Sequence, residues 1–202
     1  CLPRASALFH CAGEAAHDVV ERALAGRARI ASVTSQTKRL PAPLLYDLTE
    51  LQRHSNRLYG FSAQRTLDIA QALYEKHKLI SYPRTDSRCL SSEVAKTLPE
   101  VVAAIAGPYA ELLAEGTGRR PLSRRFVDDG KVGEHQAVIP TSVSAAGQAL
   151  SQDELKLYGL IVRRLLQAWH DDFVWAATTV ITQVQPKTSD APVDSYRSQG
   201  TA

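Results

Sequence analysis

Apolar positions along this chain change their period several times, and each change marks an element. Residues 13–24 read as a helix that stops at "AGR", and "RIASVTSQT", with strand over 29–35, has the β-branched content and partial alternation of a strand. The prolines of "LPAPLLYD" then make a non-helical boundary. In "DLTELQRHSNRLYG", Asp47 and Glu50 stand at capping-box spacing and Gly60 closes the helix, with Leu48, Leu51 and Leu58 approximating one face. Ser62 can cap a second helix whose Ala63, Leu67, Ala70 and Tyr74 fall at steps of four, three and four. Pro83 forbids a helix through "LISYPR". Ser91 or Ser92 can cap a further helix, broken near Pro99, and a short one follows around 109–114.

Beyond "EGTGRRPLSRR" the pattern predicts a hairpin over "RFVDDGKVGEHQAVIPT", turning at Asp129-Gly130. The clearest helix is "SQDELKLYGLIVRRLLQAWH": Ser151 and Glu154 form a capping box, and Leu155, Tyr158, Val162, Leu165 and Trp169 keep three-four spacing. "FVWAATTVITQVQ" reads as a long strand. Strand material at both ends with helices between predicts an α+β chain, a mainly helical domain inserted into a β-rich platform. There is no internal repeat and no low-complexity tract.

Composition narrows the picture only a little. Of 202 residues, 44% are hydrophobic and 22% charged, enough for a core and an ordinary polar surface. The net charge of +3 favours a polyanionic partner weakly. No apolar run reaches the roughly 18 residues that a membrane span needs, and no signal peptide is visible. Three widely spaced cysteines, Cys1, Cys11 and Cys89, fit free thiols in a reducing compartment. Cys1, His10 and Cys11 lack the doubled ligand pairs of a zinc site. The absence of methionine, even at position 1, is what a piece of a longer protein would show.

The chemistry sits in "KLISYPRTDSRCLSS", Lys78 to Ser92. In extended backbone, residues i and i+2 share a face, so Tyr82 and Arg84 aim a phenol and a guanidinium the same way, with Pro83 limiting their drift. That pair suits a phosphodiester. The planar fork of arginine can hold two phosphate oxygens and offset charge in the transition state. A tyrosine oxygen is a weak nucleophile at its usual pKa of about 10 but a good leaving group, so a phosphotyrosine link is reversible. On spacing alone, a half-buried tyrosine beside a surface arginine is the favoured reading over catalysis.

The segment resembles the active-site stretch of type IA DNA topoisomerases, and its "YPRTDSR" form is most similar to the bacterial topoisomerase III branch. The similarity extends upstream through "PAPLLYDLTELQRHSNRLYGFSAQRTLDIAQALYEKHK" and downstream to "GEHQAVIPT", with a looser match in the helix from Ser151 and a weak one over the first forty residues. The resemblance implies that Tyr82 is the nucleophile that becomes joined to a 5′-phosphate, that Arg84 clamps the scissile phosphate, and that His135 contacts DNA near the break. Where many such sequences carry a second histidine, this one has Gln136. Lys78, Arg65 and Arg88 are candidate phosphate contacts. The basic run Arg119, Arg120, Arg124, Arg125 could touch the backbone without reading sequence, or be ordinary surface.

The same resemblance implies a four-domain ring that relaxes or decatenates DNA without ATP, with single-stranded DNA as the preferred partner and no membrane. Residues 43–171 would be the tyrosine domain, and 1–42 with 172–202 part of the arch. It also implies magnesium, held by an acidic Toprim domain through a DxD-type pair. This sequence contains no DxD; Asp128-Asp129-Gly130 and Asp171-Asp172 read as turn residues. No metal site is therefore expected in the chain itself, and it is expected not to cleave DNA without its intramolecular partner domains. The bacterial cytoplasm, at the nucleoid, is the expected location. The alternative is a non-catalytic single-strand-binding module, which stacking aromatics would serve better than a Tyr82, Arg84 and His135 set.

Overall fold

The computed structural model describes residues 13–187 and 193–202; Cys1, His10 and Cys11 lie outside them. The described residues up to Leu40 and from Val174 on form one unit, and Pro41–Phe173 form the other.

The first unit holds helix α1 (Gly13–Ala25) and strands β1 (Arg27–Leu40), β2 (Phe173–Gln185) and β3 (Asp194–Thr201). The strands make one sheet in the order β1-β2-β3. β2 and β3 are antiparallel, with Ala177 opposite Thr201 and Val184 opposite Asp194. β1 runs well past the expected 29–35, because "QTKRL" can hydrogen-bond along a sheet although it lacks an apolar face. Arg22 on α1 grips Asp194 at the start of β3 through both arms of its fork, each at 3.2 Å.

The second unit is helical. Its helices are α2 (Leu48–Tyr59), α3 (Ala63–Glu75), α4 (Ser92–Ala95), α5 (Leu98–Ile105) and α6 (Gln152–Leu166). They close on a core that includes Leu45, Leu51, Leu73, Leu79, Ile80, Leu90, Val138, Leu157, Ile161 and Trp169. The α+β class expected from the pattern is the class observed.

Helix ends follow the local code. Asp47 accepts from the Glu50 amide at 2.6 Å, and Gly60 ends α2 in the left-handed region at φ 69°. Glu50 does not return the bond as a capping box would; it pairs with Arg53 at 3.0 Å instead. At α6 the box is complete: Ser151 accepts from the Glu154 amide, and Glu154 Oε2 accepts from the Ser151 amide at 2.7 Å. Ser91, not Ser92, caps α4; Ser92 gives its amide and hydroxyl to Asp129. Pro99 opens α5 rather than breaking a helix, since its missing N–H costs nothing in a first turn. The expected helix at 109–114 is a 3₁₀ segment, Gly107–Leu112.

Spacing misplaces three apolar positions. Leu58 is 51% exposed and Leu155 47% exposed, while Ala63 is also on the surface. α3 buries Ala70 as expected, together with Thr66 and Leu73. Thr66 hides its hydroxyl by donating to the Ser62 carbonyl at 3.0 Å, so a polar residue occupies the core side.

The hairpin expected over residues 125–141 does not form. Val127 pairs in parallel with Leu90, Val138 antiparallel with Tyr46, and Ile80 antiparallel with Pro140. The Asp-Gly signal is spent on a 3₁₀ turn, Asp129–Lys131, in which Asp128 accepts from the Gly130 amide. Each flank finds a partner from elsewhere in the chain. That rearrangement lays the segment bearing His135 beside the segment bearing Tyr82.

Candidate active site

The chain reaches Tyr82 through a sharp elbow. α3 ends at Glu75, and Lys78 lies at φ 57°, the one non-glycine residue with positive φ among those described. Left-handed backbone after a helix is a place glycine usually fills, and a side chain there costs roughly 1 kcal/mol. Past the elbow, Leu79 and Ile80 sink into the core, and the chain runs extended along residues 137–141. Its backbone bonds are Ser81 N–H to Ile139 O at 2.8 Å and Thr141 N–H to Leu79 O at 2.9 Å.

From Tyr82 to Cys89 burial alternates. Pro83, Thr85, Ser87 and Cys89 are buried; Arg84 and Asp86 are exposed, and Tyr82 and Arg88 are half-buried. Tyr82 and Arg84 therefore share the open side, as extended geometry requires. The buried side is tied down by hydroxyls. Thr85 donates to the His135 carbonyl at 3.2 Å and accepts from the Ser87 amide at 3.0 Å. Ser81 donates to the Ala137 carbonyl and accepts from the Ile139 amide, both at 3.0 Å.

These stitches bring the Tyr82 and His135 rings to 4.4 Å between centroids, tilted by 47°. Tyr74 on α3 meets Tyr82 edge-on at 5.5 Å, and the Lys78 ammonium lies 5.7 Å above the Tyr74 ring. Such ring and cation contacts hold a phenol in place while leaving its oxygen unengaged. Among the described residues Arg84 has no hydrogen-bond or ion-pair partner, so its fork is available to a ligand. The larger clefts lie elsewhere, such as one of about 390 Å³ lined by Ile105, Tyr109, Tyr158 and Val162. The Tyr82 cluster is an open surface, the form an extended polymer needs.

The other candidate cations are placed differently. Arg65 is ion-paired with Asp153 and stacked on Phe61 at 5.2 Å. Arg88 turns inward, with Nε donating to the Leu45 carbonyl at 3.0 Å and Nη2 to that of Leu44 at 3.4 Å. In the basic run, Arg120 exchanges bonds with Trp169, whose indole donates to the Arg120 carbonyl at 2.7 Å, and Arg125 donates to the Ala42 carbonyl. Arg119 and Arg124 stay exposed. Of the cations suggested by the sequence, Arg84 shares the open side with Tyr82, and Lys78 lies over the Tyr74 ring that meets it. Sequence reasoning misses Tyr74, Ser81 and Thr85; the only signal for the last two is a hydroxyl on the inward parity of an extended run.

A second polar cluster lies in the same unit. Arg164, 7% exposed, stacks on the Tyr46 ring at 4.0 Å, donates to the Leu44 carbonyl at 2.8 Å, and reaches His54 Nδ1 at 3.2 Å. The Tyr46 hydroxyl meets the same nitrogen. Burial first, and then the Arg164 charge, push His54 below its ordinary value, while burial pushes Tyr46 up. A neutral His54 is what two donors at one nitrogen require.

No group of three or more His, Cys, Asp or Glu among the described residues could hold a metal ion. Asp128 and Asp129 are occupied with Lys131 and Ser92. The described residues thus do not fit a magnesium site. No described helix is long and apolar enough to cross a membrane.

A two-unit α+β chain with a half-buried tyrosine beside an exposed histidine and arginine is one of a defined class: residues 9–200 match the family described as DNA topoisomerase, and the chain belongs to that family. Within it the chain is bacterial type IA and topoisomerase III-like. It is 49% identical over 140 residues to the DNA topoisomerase 3 of Shouchella clausii, covering 68% of this chain and 19% of that protein. The DNA topoisomerase 3 of Bacillus subtilis is 41% identical over 176 residues, covering 86% of this chain and 24% of that protein. Among solved structures, full-length topoisomerase I from Thermotoga maritima matches with a TM-score of 0.56 at 25% identity, over 92% of this chain and 29% of that one. The chain thus spans about a fifth to a quarter of the length of these topoisomerase 3 relatives.

Proposed function

We propose that this chain is the tyrosine-bearing part of an enzyme that cuts and rejoins one DNA strand. The observation that carries the reading is the Tyr82–His135 ring contact at 4.4 Å, with Arg84 unpartnered on the same open side. Tyr82 Oη forms a bond to phosphorus as the bond from phosphorus to the 3′ oxygen breaks. The phenol loses its proton and the departing 3′ oxygen gains one, leaving a 5′-phosphotyrosine and a 3′ hydroxyl. Because a phenolate leaves readily, the same hydroxyl can restore the phosphodiester without ATP.

Arg84 binds the non-bridging oxygens of the scissile phosphate and stabilises the charge that builds there. His135 packs on the nucleophile's ring and contacts DNA beside the break. Lys78 adds a phosphate contact; Arg65 and Arg88 would have to leave Asp153 and the Leu44–Leu45 carbonyls to do the same. Residues 43–171 act as the tyrosine domain, and 1–42 with 172–202 as part of an arch. Magnesium belongs to an acidic domain outside this sequence, the DNA is engaged as a single strand, and the work is done at the bacterial nucleoid.

The experiment is a pair. A full-length enzyme carrying this sequence should lose relaxation, decatenation and the covalent DNA adduct on Tyr82→Phe; retained activity overturns the assignment. The 202-residue chain, given magnesium and a negatively supercoiled plasmid, should not nick it.

A further inference from the structure

The elbow before Tyr82 is clamped by a buried histidine that takes no part in the chemistry at the tyrosine. His77 is 8% exposed. Its Nδ1 lies 2.9 Å from Gln148 Oε1 and its Nε2 lies 3.2 Å from Glu154 Oε1. The Gln148 amide is oriented by its own nitrogen, which donates to the Ser144 carbonyl at 3.1 Å and reaches the His77 carbonyl at 3.5 Å. Glu154 is the capping-box glutamate of α6, its other oxygen held by the Ser151 amide. Hydrogen bonds from Ser151, with the His77 contact adding to them, hold its carboxyl below the ordinary value. One imidazole thus joins the elbow, the turn at 144–148 and the start of α6.

Two arms of this joint lead to the site. Lys78, the next residue, takes the left-handed conformation, and its carbonyl accepts from Thr141 Oγ1 at 2.6 Å. Four residues on is Tyr82. The turn at 144–148 follows the 137–141 segment, and His135 stands two residues before that segment begins. Strained backbone persists only where its surroundings over-determine it. Here the surroundings are the His77 ring on one side and Thr141 on the other.

We infer that His77 is a positioning residue: by bridging Gln148 and Glu154 it fixes the Lys78 elbow and, through it, the spacing of the Tyr82 and His135 rings. The inference rests on the reading of Tyr82 and His135 as the working site, but its first test does not.

That test is a proton NMR measurement on the 202-residue chain. His135 ring protons beside the Tyr82 face carry a ring-current shift, which Tyr82→Leu identifies by removing it. His77→Phe fills the space and deletes both arms; Gln148→Ala deletes one arm from a turn. In folded His77→Phe the His135 shift should fall by more than half, and in Gln148→Ala by a smaller amount. If His77→Phe does not fold, Gln148→Ala decides alone. An unchanged His135 shift in either folded variant overturns the inference.

In a full-length enzyme, folded His77→Phe should lower kcat by about 10- to 100-fold, with KM for DNA within about twofold. A rise in KM at constant kcat would instead make His77 part of DNA binding and overturn the positioning role. If Tyr82→Phe kept activity while the His135 shift still answered to His77, the functional reading would fail and the clamp would stand.

Discussion

Replacing Arg164 tests how the helical unit is held together. Arg164→Met keeps a long side chain over Tyr46 but removes the fork. The loss comprises the bond to the Leu44 carbonyl at 2.8 Å, the contact with His54 Nδ1 at 3.2 Å, and the cation 4.0 Å above the Tyr46 ring. Hydrogen bonds from a charged donor are worth about 1.5–3 kcal/mol, and a desolvated cation over a ring about 2 kcal/mol. Against these stands the cost of keeping a guanidinium buried, several kcal/mol, which methionine does not incur. Methionine does leave the Leu44 carbonyl with only the 3.4 Å contact from Arg88. The net expectation is a loss of about 2–4 kcal/mol. Arg164→Lys keeps the charge without the fork and should lose about half as much.

The assay is urea unfolding at about pH 7.5 in a Trp175→Phe background, so that Trp169, in the 3₁₀ turn after α6, reports. At a slope of about 2 kcal/mol per molar, the Arg164→Met midpoint should fall by roughly 1–2 M. A midpoint within about 0.2 M of the parent would refute the reasoning, because burial would then have cancelled every bond the guanidinium makes.

Other expectations rest on the same logic. His54 is held below its ordinary 6.5, so its contribution to stability is complete above that pH and is lost as pH falls toward the lowered value; His54→Gln should flatten the part of a urea-midpoint profile between about pH 5 and 7. Gly118 sits at φ 78°, with the site of a Cβ only 2.8 Å from Val102, so Gly118→Ala should cost about 2 kcal/mol or more in the same titration. Leu51→Ala should cost about 2–5 kcal/mol, whereas Leu58→Ser should change the midpoint negligibly. With a fluorescent single strand, Arg84→Gln should weaken binding and reduce the log–log salt slope by about 0.7, and Arg88→Gln should lower stability with the slope unchanged.

Much of this can be read from the residues in order. Caps and periodicity locate α2, α3 and α6, because those signals are local and the helices obey them. Leu58, Leu155 and Ala63 read as inward because spacing cannot tell which edge of a stripe faces a neighbour. The false hairpin has a different cause. Asp129-Gly130 is a good turn in isolation, but Leu90, Tyr46 and Ile80 compete for the strands on either side, and these partners are distant in sequence. At the site, extended geometry yields the shared face of Tyr82 and Arg84. It cannot yield Tyr74, which arrives from another helix, nor the inward turn of Arg88, whose carbonyl partners Leu44 and Leu45 stand far back in the sequence.

The odd-and-even burial from Tyr82 to Cys89 has a consequence for how the segment can change over time. Substitutions on the outward positions alter the chemistry offered to a ligand and leave the packing alone. A single inserted or deleted residue within this run inverts every position beyond it, turning hydroxyls out to water and the Arg84 charge toward the core. Only changes in steps of two keep parity. The length of this stretch is thus as constrained as any side chain in it, a constraint invisible in a list of functional residues.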